Sequence, residues 1–125
     1  MSSPTKITLL LALLVAGMSL KSNACILFNK TYVQITNKLE TGEDLTLHCK
    51  SKDDDLGEHV LHKDESYNFS FCRNVFGETL YFCSFEWSGK VHRFDIFDES
   101  RDGCDHCNWR ITLSAPCRDK CYKYD

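Results

Sequence analysis

The sequence predicts an all-β domain, a small antiparallel β-sandwich stabilised by disulfides and preceded by a cleaved signal peptide. Three observations carry the prediction. After the leader, apolar residues alternate with polar ones in six or so short segments bounded by turn residues, and none holds a 3.6-residue period for more than two turns. The 125-residue chain carries eight cysteines, an even number behind an export signal, which is the mark of a disulfide framework. The stretch Thr79–Phe97 reads as a hairpin whose own turn sets its register.

The leader comes first. Lys6 precedes an apolar run, Ile7–Leu20, and Ser22 and Ala24 then supply the small residues of a cleavage site. A membrane-spanning helix needs roughly 20 apolar residues, more than this run offers. Met1–Ala24 is therefore read as a signal peptide and residues 25–125 as a single domain. Cleavage removes Lys6 and Lys21 but no acid, so the formal charge moves from −3 to −5. An acidic domain without a second apolar run is a poor match for nucleic acid, anionic membrane surfaces or stable membrane insertion, and the expectation is a soluble, extracellular monomer.

Within the domain, residues 31–37 alternate with Val33 and Ile35 on one side and Gln34 and Thr36 on the other. Asn37–Asp44 supplies a turn around Gly42. Leu45, Leu47 and Cys49 then share an inward face, with Thr46, His48 and Lys50 outward, and Asp53–Gly57 breaks that strand. Ser66–Phe71 resumes the alternation with Tyr67, Phe69 and Phe71 inward and Asn68 towards solvent. Arg73–Gly77 is a turn. In the hairpin, a two-residue turn at Ser88-Gly89 sets Cys83 opposite Phe94, Tyr81 opposite Ile96 and Phe85 opposite His92 on an apolar face, and Ser84 opposite Arg93 on the other. Leu80, Phe82 and Phe97 fall on that second face, so its base is expected to be covered by another element. A polar loop, Asp98–His106, leads to a last strand with Cys107, Trp109, Ile111 and Leu113 inward; Pro116 ends it, and Cys117–Asp125 is a polar tail.

Motifs that carry chemistry are weak. Cys104-Asp105-His106-Cys107 has redox-site spacing, but it precedes a strand rather than opening a helix, and Asp102 and Asp105 would raise a thiol pKa. Zinc would want more than one such pair or a following His pair. Asp53-Asp54-Asp55 lacks the spacing of a calcium loop. His48, His59 and Lys50 are the residue types of a secreted ribonuclease without a telling arrangement, and no nucleophile, base and orienting group present themselves together. Trp87 and Trp109 share the apolar parity of their strands and read as core rather than sugar platforms. No catalytic residue, cofactor or metal is expected. Two sequons, Asn29-Lys30-Thr31 and Asn68-Phe69-Ser70, mark Asn29 and Asn68 as glycosylation sites.

One ordered set of residues resembles a known family. It runs His48-Cys49-Lys50-Ser51-Lys52-Asp53-Asp54-Asp55-Leu56-Gly57-x-His59, Phe69-x-Phe71, Asn74-x-Phe76-Gly77-x-Thr79-Leu80, Phe82-Cys83-x-Phe85-x-Trp87, Phe94-Asp95-Ile96-Phe97, Arg101-Asp102, Cys107-x-Trp109-x-Ile111 and Pro116-Cys117. In that order these are similar to the plant self-incompatibility protein homologues, or S-protein homologues, over residues 33–117. The resemblance implies a secreted β-sandwich of plants whose four recurring cysteines match Cys49, Cys83, Cys107 and Cys117. Cys83 and Cys107 both lie on inward faces, which makes a bridge between them credible and leaves Cys49 with Cys117. Cys25, Cys72, Cys104 and Cys121 depart from the family pattern and admit three pairings. The outward parity of Cys72 favours Cys104, which leaves Cys25 for Cys121.

The resemblance also implies a function without chemistry: an extracellular ligand in cell–cell recognition or signalling, bound by a cell-surface protein receptor. The surfaces expected to be read are Asp53–His62, Arg73–Glu78 and Asp98–His106, with Asp53, Asp54, Asp55, Arg73, Arg101 and Asp102 as candidate contacts. A secreted defence protein is the alternative, and its acidic charge counts against a membrane-lytic form of it.

Overall fold

The computed structural model describes Cys25 and residues 30–125; the Met1–Ala24 leader and Asn29, the acceptor of the first sequon, lie outside the described residues. Eight strands follow one another: β1 (Lys30–Asn37), β2 (Leu45–Lys50), β3 (Asp55–Leu61), β4 (Ser66–Cys72), β5 (Leu80–Trp87), β6 (Lys90–Asp98), β7 (His106–Ile111) and β8 (Pro116–Cys117). They form two four-stranded sheets, ordered β4-β1-β7-β8 and β3-β2-β5-β6. The alternation read in the sequence is what lets the two face each other. Val33, Ile35, Cys107, Trp109 and Ile111 from one sheet meet Leu45, Leu47, Cys49, Phe85, Phe94 and Ile96 from the other, all buried. The pairing is antiparallel throughout with one exception, β1 running parallel to β7.

Polar stitching holds the sheets in place where the chain leaves β1. Asn37 is 1% exposed, yet every group of its amide is satisfied. Its Nδ2 donates to the carbonyls of Glu43 (2.9 Å) and Leu61 (3.0 Å), and its Oδ1 accepts from the Leu39 N–H (3.0 Å). A buried amide is tolerated when it is hydrogen-bonded in this way, and this one ties the end of β1 to the end of β3.

The hairpin forms as the turn residues dictate, with Cys83 opposite Phe94, Ser84 opposite Arg93 and Phe85 opposite His92. Ser88 (φ 52°) and Gly89 (φ 71°) both take the left-handed conformation of the turn that suits strand twist. A β-branched residue at the second position is strained, so Gly89→Val is expected to cost roughly 1–2 kcal/mol in urea unfolding.

Nearer the hairpin base the expected register fails. The pairing shifts between Tyr81 and Phe82, so Tyr81 faces Phe97 instead of Ile96, and Phe82 faces Asp95. The extra residue is a bulge, and it places Ile96 and Phe97 side by side in the core, each fully buried. Phe97 therefore needs no covering element, and Leu80 and Phe82 receive none: they are 39% and 41% exposed.

Three further expectations are corrected. Asp53–His62 is not a loop, because Asp55–Leu61 forms edge strand β3; Gly57, at φ 80°, and an irregularity opposite His48–Lys50 obscure its alternation. Leu113 lies beyond the end of β7 and is 37% exposed, while Pro116-Cys117 turns back to pair with Arg110-Ile111 as β8. The disulfide pairing also differs, although no described cysteine is free. Cys49 bridges Cys83, Cys104 bridges Cys107, Cys117 bridges Cys121 and Cys25 bridges Cys72. Inward parity holds for Cys49, Cys83 and Cys107, but it does not separate a bridge across the sandwich from one within a sheet. Register decides: β2 lies beside β5, and Cys49 and Cys83 are direct cross-strand partners with Cα atoms 4.0 Å apart. Cys72 opposes Lys30 at the start of β1 and bridges Cys25 with Cα atoms 5.2 Å apart, while Cys104 closes on Cys107 three residues away.

Candidate functional site

The three polar surfaces behave differently. In Asp98–His106 the two residues expected to be read are holding the structure. Asp102 is 2% exposed. One carboxylate oxygen accepts from Arg101 Nε and Arg118 Nη2, each at 2.8 Å; the other accepts from Arg101 Nη2 (2.7 Å) and the Asp98 N–H (3.0 Å). Burial by itself would raise the Asp102 pKa, but the hydrogen bonds from Arg101 and Asp98 and the charges of Arg101 and Arg118 outweigh it and hold the carboxyl below its ordinary range. The Arg101 guanidinium lies over the rings of Phe94 (4.8 Å), Tyr122 (5.1 Å) and Trp109 (5.5 Å), contacts worth about 0.5–2 kcal/mol each when desolvated. Asp102 is thus unsuited to contacting a partner, and the Arg101 guanidinium, though a quarter of its side chain is exposed, is committed to it, for the reason that a buried carboxylate needs cations packed around it.

At the Asp53–His62 edge the acids stay at the surface. Ser51 and Asp54 close a turn through the Ser51 N–H to the Asp54 carbonyl (2.7 Å), and Ser51 Oγ accepts from the Asp54 N–H (3.1 Å). Asp55 pairs with His48 Nε2 and accepts from the Gly57 N–H, and these contacts, His48 first, lower its pKa. Asp53 and Asp54 are exposed beside them. His48 and His59 do not converge. His48 stands on the outer face of β2, whereas His59, opposite Leu47, bonds the Leu56 carbonyl and stacks on Tyr67 with centroids 4.1 Å apart. Cys104 and Cys107 are bridged to each other, and the segment between them runs into strand β7.

The Arg73–Glu78 turn divides into a strut and a tip. Arg73 turns inward: its Nε donates to Thr31 Oγ1 (2.8 Å), its Nη2 to the Cys104 carbonyl (2.6 Å) and to Asp105 (3.2 Å). The turn beyond it is pinned by the Phe76 N–H to Asn74 Oδ1 (2.6 Å), the Gly77 N–H to the Asn74 carbonyl (3.1 Å) and the Thr79 N–H to Glu99 (3.2 Å). On this frame Val75 and Phe76 are 54% and 79% exposed.

Comparison with known proteins places the chain. The family model of plant self-incompatibility protein S1 matches residues 32–125. S-protein homolog 2 of Arabidopsis thaliana is 42% identical over 119 residues, spanning 83% of this chain and 74% of its own length. The chain belongs to the plant self-incompatibility S1 family. S-protein homolog 5 of the same plant is 49% identical over 90 residues, 70% of either chain. A solved self-incompatibility protein homologue shares the fold with a TM-score of 0.57 at 16% identity, over 78% of this chain and 86% of that one. These homologues are described as a widespread family of small, highly stable, secreted proteins from plants, and an oxidising destination suits the four bridges seen here.

In this S-protein homologue, then, Asp53, Asp54 and Asp55 lie at the surface, Arg73 is a strut, Asp102 is interior and Arg101 is a half-buried partner to it. Sequence reasoning singled out Arg73 in the turn and missed Phe76. The signal was present, since Val75-Phe76 puts two large apolar residues into a tight turn where neither is needed to bury a strand.

Proposed function

We propose that this S-protein homologue is a non-enzymatic extracellular ligand, bound by a cell-surface protein receptor in plant cell–cell communication, and that the Arg73–Glu78 turn is the part that is bound. The observation that supports the reading is Phe76: an aromatic side chain 79% exposed on a turn whose backbone is fixed by Asn74 and Glu99. Exposed aromatics of this kind serve as interface anchors, and a fixed turn spares the ordering cost that binding otherwise carries. Leu80 and Phe82, also exposed where the chain enters β5, extend the apolar character of this end. The exposed Asp53 and Asp54 supply charge, which governs encounter rate more than affinity.

The test is saturable binding of labelled, oxidised protein to intact plant cells. Phe76→Ala should weaken it about 30-fold, the effect of losing an anchor worth ~2 kcal/mol, with the unfolding curve unchanged. Unaltered affinity in Phe76→Ala, or binding that survives proteolytic shaving of the cell surface, would sink the reading.

A further inference from the structure

The outer face of the β4-β1-β7-β8 sheet carries a groove of about 330 Å³, lined by Tyr32, Gln34, Asn68, Ser70, His106 and Asn108 among others. Register builds it. Gln34 on β1 lies between Asn68 on β4 and Asn108 on β7, a row of three amides across three strands. The adjacent row is Ser70, Tyr32 and His106. The Tyr32 and His106 rings are parallel within 5° with centroids 4.9 Å apart, which is the spacing of neighbouring strands. The two rings therefore stand upright from the sheet, and the Lys30 ammonium also lies over the Tyr32 ring, 5.9 Å from its centroid.

Asn68 is the acceptor of the Asn68-Phe69-Ser70 sequon, and the alternation of β4 puts Asn68 and Ser70 on the same exposed face. The strand that carries them is also unusual. An exposed sheet edge invites pairing with another chain, and proteins blunt it with charge, bulges or brevity. Edge strand β3 carries Asp55 and Glu58, edge strand β6 carries Lys90, Arg93 and Asp95, and β8 is two residues long. Edge strand β4, Ser66-Tyr67-Asn68-Phe69-Ser70-Phe71-Cys72, has seven residues and no charge, and the sequon sits at its centre.

We propose that Asn68 carries an N-linked glycan whose first sugars lie in this groove, against Tyr32 and along Gln34 and Asn108, and that this glycan shields the uncharged β4 edge. In the attachment step Asn68 Nδ2 bonds to the anomeric carbon of an oligosaccharide carried on a polyprenyl diphosphate. The bond from that carbon to the diphosphate oxygen breaks, the diphosphate leaves with its electron pair, and the amide gives up one proton. The amide row offers donors and acceptors for sugar hydroxyls and acetamido groups, and the tyrosine face suits the apolar face of a pyranose. The inference needs only passage through the secretory pathway and is independent of any receptor.

The test is secretion from plant cells of the full chain and three variants. Intact mass should show a hexose- and N-acetylhexosamine-containing adduct on Asn68, lost in Asn68→Gln and equally in Ser70→Ala, which keeps the asparagine. Enzymatic deglycosylation should lower Tm by roughly 4 °C and increase self-association, and in Tyr32→Ala most of that Tm difference should vanish. An unmodified Asn68 in the secreted protein overturns the site. A glycan whose removal changes neither Tm nor self-association, or whose effect is the same in Tyr32→Ala, overturns its seating in the groove.

Discussion

Asp102→Asn should destabilise the domain by about 3–5 kcal/mol, the loss seen when one member of a buried ion cluster is removed and the others are left unpaired. The substitution keeps shape and volume but takes away the charge that Arg101 and Arg118 share, and it weakens the acceptor of the Asp98 N–H. Against a total stability of ~5–15 kcal/mol for a domain of this kind, a fall of that size is decisive. Urea unfolding reads it as a lower midpoint at unchanged slope. The pH dependence has a fixed sign. The Asp102 pKa is lowered in the folded state, so its contribution is present above the unfolded carboxyl value of ~3.9 and is lost as pH falls through the folded one. Acid unfolding of the native protein should therefore steepen below about pH 4, and Asp102→Asn should lack that component. Arg101→Glu follows the same logic. It sets a second carboxylate against Asp102 and is expected to unfold the domain rather than act as a clean surface charge reversal. A midpoint shift equivalent to less than ~0.5 kcal/mol in Asp102→Asn would show that the cluster is not holding the 98–106 segment.

The second large effect is expected at the Cys49–Cys83 bridge. Its half-cystines are 34 residues apart in sequence, against 3 for Cys104–Cys107. In the chain-entropy account, closing the longer loop is worth about 3–4 kcal/mol and the shorter about 2. Cys49→Ala with Cys83→Ala should cost roughly twice what Cys104→Ala with Cys107→Ala costs, and more once the void left between β2 and β5 is included. Equal losses from the two double variants would rule out chain closure as the source. Non-reducing peptide mapping gives an independent check. It should return Cys49 with Cys83, and recovery of Cys83 with Cys107 would overturn the pairing together with the β2–β5 register that produces it.

What sequence could and could not deliver follows from the range of the interactions concerned. The hairpin was legible because Ser88-Gly89 fixes its register from within, and alternation around it placed Val33, Ile35, Leu45, Leu47, Trp87 and Trp109 in the core, where they are. The bulge at Ile96 was not legible, since nothing in Phe94-Asp95-Ile96-Phe97 says which residue lacks a partner. Strand β3 was hidden by three aspartates that read as a break and by Gly57 inside its span. Disulfide partners depended on which strands are neighbours, and parity alone carries no such information. The same limit governed the candidate contacts. Arg101-Asp102 in a polar stretch reads as solvent-exposed, and nothing local announces the return of Arg118, brought back by β8, which joins Arg101 in satisfying the buried carboxylate. Phe76 lay within the Arg73–Glu78 turn but was not singled out, because charge rather than apolar exposure served as the mark of a contact.

The parallel pairing of β1 with β7 sets a timetable for the emerging chain. The first strand occupies the middle of its sheet, yet its neighbours start at residue 66 on one side and residue 106 on the other. A nascent polypeptide that has left the translocation channel as far as β6 holds all four strands of the second sheet, while β1 is still bare along one whole side. Completion waits for almost the last fifth of the molecule, which makes assembly slow for its size, as for other proteins dominated by distant contacts, and puts the interval of greatest aggregation risk inside the lumen where the bridges are being formed.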